Sequence, residues 1–369
     1  MKQSLILTIN PGTTTTRIGL FLPQGSDVRP VLEDTIDHDE AVMSRFATIP
    51  DQLPFRATSV QTFLDTIPGG VQLAAVAGRG GMLSPVPSGV IEVDDALVDF
   101  ALHTPVHHHA SNLGAPLAQR IATAAGCPAY VVDPVSVDEL TPVARVSGCP
   151  DIPRFSFVHA LNIRSCGRRL AASLGKPFDG LNAVVAHLGA GISVAAIRKG
   201  RIVDSTNRME SSPFSPERVG GLPPMPLIDL CYSGRFKKDE LKRRLYGQGG
   251  VFAYLGTKDM RRVEAMIDAG DDKARLVWDA MVYQIGKAIG SMAAVLDFLP
   301  DGIILTGGMV QSRRLTAALV GRIGGFAPVT CYPGSYENEA LAVGAARVLA
   351  GAETAQQWPV APEGEPLPW

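Results

Sequence analysis

Long apolar runs, clustered cysteines and an excess of charge of either sign are all missing from this 369-residue chain. No stretch approaches the roughly 18 apolar residues of a membrane span. Met1-Lys2-Gln3-Ser4 leads straight into an apolar strand without a signal peptide, so a soluble, cytoplasmic protein with no membrane partner is expected. The five cysteines, Cys127, Cys149, Cys166, Cys231 and Cys331, are odd in number and lack C-x-x-C spacing, and they read as reduced structural thiols rather than a disulfide framework. A net charge of −2 gives no electrostatic reason to expect nucleic acid or an anionic surface as partner. Neither G-x-x-x-x-G-K-[ST] nor a G-x-G-x-x-G after a strand occurs, which excludes a P-loop and a dinucleotide fold.

What is present is a strand, a hydroxyl-rich turn and a second strand: Leu5-Ile6-Leu7-Thr8-Ile9-Asn10-Pro11-Gly12-Thr13-Thr14-Thr15-Thr16-Arg17-Ile18-Gly19-Leu20-Phe21. A turn with one glycine and four threonines offers N–H and O–H donors with little bulk, the chemistry that holds a polyphosphate or its hydrated Mg²⁺. A surface hairpin with a polar turn has the same composition. The decisive observation is a second copy, Ala183-Val184-Val185-Ala186-His187-Leu188-Gly189-Ala190-Gly191-Ile192-Ser193-Val194-Ala195-Ala196-Ile197, about half a chain later. Two such loops suggest a duplicated domain. A third element, Asp301-Gly302-Ile303-Ile304-Leu305-Thr306-Gly307-Gly308, is a buried strand ending in a glycine pair that lets backbone approach a ligand.

The length predicts about two domains, and 46% hydrophobic residues can fill two cores. Two strands are expected over 5–22, a short buried strand over 71–78 ending at Arg79, a helix near 112–126 and a strand over 128–133. Gly148-Cys149-Pro150-Asp151-Ile152-Pro153 breaks structure and is the candidate crossing between domains 1–150 and 151–339. A helix is expected from about 159 to 174 and another from Asp271 to Leu299, with Leu276, Val277, Ala280, Met281, Ile285, Ala288, Ile289, Met292, Val295 and Leu296 as its core stripe. A last helix is expected near 339–351, followed by a tail with Pro359, Pro362, Pro366 and Pro368 that docks through Trp358 and Trp369.

Two phosphate hairpins followed by a Gly-Gly loop resemble the acetate and sugar kinase, heat-shock chaperone and actin superfamily. Asn10-Pro11-Gly12, Gly78-Arg79-Gly80-Gly81, His109-Ala110-Ser111-Asn112, Val132-Asp133-Pro134, His159-Ala160-Leu161-Asn162, Ser215-Pro216-Glu217-Arg218 and Asn338-Glu339-Ala340-Leu341 narrow the resemblance to the butyrate kinases of the acetokinase family, over nearly the whole chain. The resemblance implies an α/β, duplicated two-domain actin-like ATPase fold of acetate kinase type. It places a nucleotide cleft between the domains and packs the C-terminal helix, 340–369, back on the first. It also implies ATP/ADP and Mg²⁺ as cofactors, a small carboxylic acid as substrate, and a homodimer or higher homo-oligomer. The expected reaction is reversible phosphorylation of butyrate or a branched acid by direct transfer. Acetate or propionate as substrate, or a sugar kinase or chaperone-like ATPase of the same superfamily, are the alternatives.

A carboxylate is already ionised at neutral pH, so forming an acyl phosphate needs no general base; the task is to bring two anions together. Arg79 and Arg218 are the candidate clamps, because a guanidinium fork fits carboxylate and phosphoryl oxygens, unless each merely pairs with a nearby acid. By resemblance His159 stabilises the transition state and His109 lies near the transferring group, although His159 beside Phe155, Phe157 and Val158 also reads as a satisfied core histidine. Asp133, ending an apolar strand, matches the family's catalytic aspartate or is a turn cap. Asn10, Thr13, Thr15, Arg17, His187, Gly189, Gly191, Gly307 and Gly308 are expected at the phosphates, and Asp259 and Arg261 at the adenosine. Asn10 and Glu339 are the candidate Mg²⁺ groups, the latter otherwise a simple helix-start acid. His107-His108-His109 is not read as a metal site, since adjacent side chains diverge. Arg17 replaces the usual lysine, Ala190 a usual glycine or asparagine, and Val158 a usual phenylalanine of the acyl pocket, which points to an acid larger than acetate.

Overall fold

The structure, a computed structural model, describes residues 4–67, 70–207 and 211–360. It contains two compact units. The first runs to Glu139 and adds Ala160–Ser165 and the segment from Tyr336; the second comprises Leu140–His159 and Cys166–Ser335. The Gly148–Pro153 stretch therefore lies inside the second unit, and the chain passes between units more than once.

Each unit is built on one mixed sheet. In the first, β1 (Ser4–Pro11), β2 (Thr15–Gln24), β3 (Asp27–Asp37), β4 (Gln72–Arg79), β5 (Val90–Glu92) and β6 (Ala129–Val132) are ordered β3-β2-β1-β4-β6-β5. In the second, β7 (Ala183–Leu188), β8 (Ile192–Arg198), β9 (Arg201–Ser205), β10 (Gly302–Gly307) and β11 (Val329–Pro333) are ordered β11-β10-β7-β8-β9. Both sheets start with a three-stranded antiparallel meander, and in each the meander's first strand pairs in parallel with a later strand. The repeat seen in the two hairpin sequences is thus a repeat of topology.

The helices are where the periodicity placed them, with ends shifted by a few residues: Gly114–Ala125, Ala160–Ser173, Asp272–Val295 and Glu337–Leu349. The long helix turns Val277, Met281, Ile285, Ile289 and Met292 into the second core, beneath Val184, Ala186, Ile303 and Leu305 of the sheet. Each such aliphatic contributes about 1.5–3 kcal/mol when fully buried. Leu276, expected in that stripe, is exposed, because the inward face passes instead through Ala274 and Trp278. Trp358 packs on Phe100 in the first unit, whereas Pro362, Pro366, Pro368 and Trp369 lie outside the described residues. Among the described residues no helix is long and apolar enough to cross a membrane.

Candidate active site

In the first unit, the β1–β2 turn carries the threonines and the end of β4 carries Arg79. Arg79 Nη1 donates to Asn10 Oδ1 at 3.1 Å and to Glu337 Oε2 at 2.7 Å, and Asn10 Nδ2 donates to the same Glu337 oxygen at 3.0 Å. Asn10, Arg79 and Glu337 therefore form one polar triangle at the strand ends, with Glu337 supplied by the first turn of the C-terminal helix. Arg17 faces Asn10 across the antiparallel pair, so both side chains leave the same face of the sheet. Thr13 is exposed and Thr15 half-buried.

Two of the expected residues have contacts that the sequence did not point to. Glu337, not Glu339, is the carboxylate at Asn10. At about 100° per residue two helix positions project roughly 200° apart, and Glu339 instead lies near enough to Glu33 of β3 to add to the rise that burial imposes on the Glu33 carboxyl. Asp133 was expected as the family's catalytic aspartate or as a turn cap. Its carboxylate is buried against Arg164, with Oδ1 3.0 Å from Nε and 2.8 Å from the Gly89 amide that it accepts from. Asp133 adopts a left-handed conformation, φ 38°, which its short polar side chain tolerates. These are the contacts of a turn anchor. His109 Nδ1 accepts from the Ser111 amide at 3.1 Å and caps the turn Ala110–Leu113, which leaves Nε2 as the protonated nitrogen of the neutral ring.

The second hairpin organises the second unit. His187, near the end of β7, and Ser193, at the start of β8, are register partners, and His159 Nδ1 lies 2.9 Å from Ser193 Oγ. The His159 and His187 rings stack with centroids 3.9 Å apart and planes 11° from parallel. A Cβ on Gly189 would lie 3.4 Å from His187 Nε2, so this histidine edge points to the loop. Gly191 has no side chain because the Arg218 guanidinium occupies that space, with Nη1 2.3 Å from where a Cβ would be. Arg218 is held by a tight turn: Ser215 N donates to Arg218 O, Arg218 N donates to Ser215 Oγ, and Ser215 Oγ donates to the Ala190 carbonyl of the hairpin. Arg218 Nη1 is buried without a hydrogen-bond partner, and burial lowers the arginine's pKa. A cation in that state is poised for an anion.

Gly307 completes this side. It has φ 98°, and its α-carbon abuts the Leu188 backbone so closely that any Cβ would collide with the Leu188 carbonyl. Beside it opens a cavity of about 690 Å³ lined by Gly189, Ala190, Lys258, Asp259, Arg261 and Gly308, among others. That volume is in the range of small-molecule sites. Asp259 caps the helix Met260–Asp268 and pairs with Arg261 at 3.1 Å; the Arg261 hydrogen bond holds the Asp259 carboxyl below its usual range. Val158, expected in an acyl pocket, is fully buried, while Phe155 of the same segment is partly exposed and packs edge-on to Phe157.

The acetokinase family matches residues 151–322. The chain is also 44% identical over 352 residues to a protein described as probable butyrate kinase 2 of Caldanaerobacter subterraneus, spanning 95% of this chain and 98% of that one. The chain belongs to the acetokinase family. As a member of that family it is a phosphotransferase with a carboxyl group as acceptor, and it uses ATP or ADP. Among solved structures, acetate kinase from Porphyromonas gingivalis superposes with a TM-score of 0.71 at 17% identity, over 94% of this chain and 99% of that one. A propionate kinase from Francisella tularensis gives 0.69 at 16% identity, over 92% and 98%. The two-sheet, actin-like architecture is therefore the acetokinase fold.

Proposed function

We propose that this acetokinase-family chain phosphorylates a butyrate-sized or branched short-chain carboxylate reversibly, by direct in-line transfer from ATP. The observation that carries the reading is Arg218, a buried guanidinium with an unpartnered Nη1 laid over the Gly191 loop. A carboxylate nucleophile needs no base, so a site that concentrates cations and neutral donors suits it. Around the same hairpin, His159 and His187 offer ring nitrogens, and the cavity behind Gly308 has room for a nucleoside. In the first unit the oxygen donors Asn10 and Glu337 fit a hydrated magnesium ion, which favours one or two carboxylates plus water. When bound, magnesium would neutralise phosphate charge; Arg79 is already placed to orient both oxygens.

The acyl preference is assigned to the segment around Val158. Butyrate-sized and branched acids should show kcat/KM tens- to hundreds-fold above acetate, since each methylene accommodated in an apolar pocket is worth about 1 kcal/mol or somewhat more. Val158→Phe should move that ratio back toward acetate. Because Val158 is fully buried, the added ring should also lower stability by about 1–3 kcal/mol through overpacking. Steady-state kinetics over a panel of acids, with a melting curve for each protein, checks both. A variant that loses stability but keeps the acid ranking would remove Val158 from the pocket.

A further inference from the structure

Arg56 is fully buried in the helix Leu53–Asp65, and none of its hydrogen bonds goes to a carboxylate among the partners that satisfy it. Nε donates to Gln52 Oε1 at 3.1 Å, Nη1 to the Thr15 carbonyl and to Thr16 Oγ1, each at 2.9 Å, and Nη2 to the carbonyls of Gly12 at 2.8 Å and Thr13 at 2.9 Å. A guanidinium has five N–H donors, and here every one is used on a neutral acceptor. Four of the five acceptors belong to residues 12–16, the turn of the first hairpin.

In a trans peptide the carbonyl and the following N–H point in opposite directions. The peptide bonds of this turn are trans, since the cis bond among the described residues is Trp358–Pro359. Drawing the Gly12 and Thr13 carbonyls toward Arg56 therefore turns the Thr13 and Thr14 amides away from it. Successive N–H groups aimed one way form an anion-binding concavity. The charge behind them is not cancelled by an acid in this set of contacts, and it survives at neutral pH, because burial lowers the arginine's pKa only to about 10. Thr16 Oγ1, already accepting from Arg56, has one proton left, which goes to His38 Nε2 at 2.8 Å. Burial, then the Arg56 charge, lower the His38 pKa and keep the ring neutral so that it can accept.

We infer that Arg56 is a positioning residue for phosphoryl transfer: from behind the first hairpin it sets the turn so that the Thr13 and Thr14 amides grip a phosphate of the nucleotide. The nucleotide part rests on the function proposed above; the setting of the turn does not. Lysine at this position keeps the charge but has three donors on one atom and cannot span carbonyls on both sides of the fork.

The test is amide hydrogen exchange of the 12–16 turn in ligand-free wild type and Arg56→Lys, with kinetics on both. Exchange at the Gly12 amide, which closes the turn by donating to the Thr15 carbonyl at 2.8 Å, should accelerate by at least about tenfold in the variant. KM for ATP should rise by about tenfold or more, equivalent to about 1.4 kcal/mol, while KM for the carboxylate stays within about twofold. For Arg56→Ala, low-millimolar guanidinium chloride should restore ATP affinity and ammonium chloride should not. A lower melting temperature with unchanged exchange and unchanged KM for ATP would overturn the inference, since that is what a purely structural arginine gives. Should neither variant fold, the wild type decides: MgATP must slow exchange at Thr13 and Thr14, and unaltered exchange overturns it. Wild type that makes no acyl phosphate would defeat the proposed function, yet the ligand-free exchange comparison would still judge Arg56.

Discussion

Arg218→Ala is expected to lower kcat by at least about a hundredfold, because an arginine that stabilises a phosphoryl group in flight can be worth 10³ or more. The fold should survive the change. Arg218 Nη1 has no hydrogen-bond partner to orphan, and burial disfavours the charge itself, so deletion removes an unfavourable desolvated cation along with some packing on Gly191. Arg218→Lys should recover little, since an ammonium cannot present two parallel donors to the oxygens. The check is turnover together with circular dichroism and a melting curve. A folded Arg218→Ala protein with near-normal kcat would take this residue out of the reaction.

The second large effect separates two glutamates two positions apart. Glu337→Ala should lower stability by about 3 kcal/mol, because Arg79 and Asn10 both donate to that largely buried carboxylate and removing it leaves a shielded guanidinium unpaired. It should also lower kcat/KM for MgATP by about ten- to hundredfold, the scale seen when groups that orient metal ligands are removed. Glu339→Ala should cost clearly less stability than Glu337→Ala and relieve some of the repulsion that adds to the burial-raised Glu33 pKa. Thermal denaturation and MgATP titrations of the two variants check this. The opposite ranking would favour Glu339 as the magnesium carboxylate.

That pair also shows where sequence reading stopped. The motif Asn338-Glu339-Ala340-Leu341 marks the segment, but which acid faces β1 depends on where the helix starts and how it is rotated, and neither follows from local spacing. The hairpins were legible because β1, β2, β7 and β8 pair long apolar runs with short polar turns. Strand β3 was not: Asp27-Val28-Arg29-Pro30-Val31-Leu32-Glu33-Asp34 is almost wholly exposed, with the charges and proline that blunt a sheet edge, and such a strand lacks the apolar alternation that identifies one. Arg56 had a usable signal. It falls on the stripe formed by Leu53, Ala57, Val60 and Leu64, and a charge inside an apolar stripe needs a buried set of acceptors. Which acceptors they are is a long-range fact, since the loop carbonyls lie some 40 residues away in sequence. Asp133 was ambiguous for the opposite reason: a carboxylate ending a buried strand serves equally as an anchor, and its partner Arg164 carries no motif of its own.

The most direct test of the central claim is hydroxylamine trapping with ATP, Mg²⁺ and a panel of carboxylic acids and sugars. The account predicts butyryl hydroxamate formed in step with ADP, a weaker signal from acetate, and no phosphorylated sugar. ADP released without any hydroxamate, or phosphate transferred to a sugar hydroxyl, would contradict it.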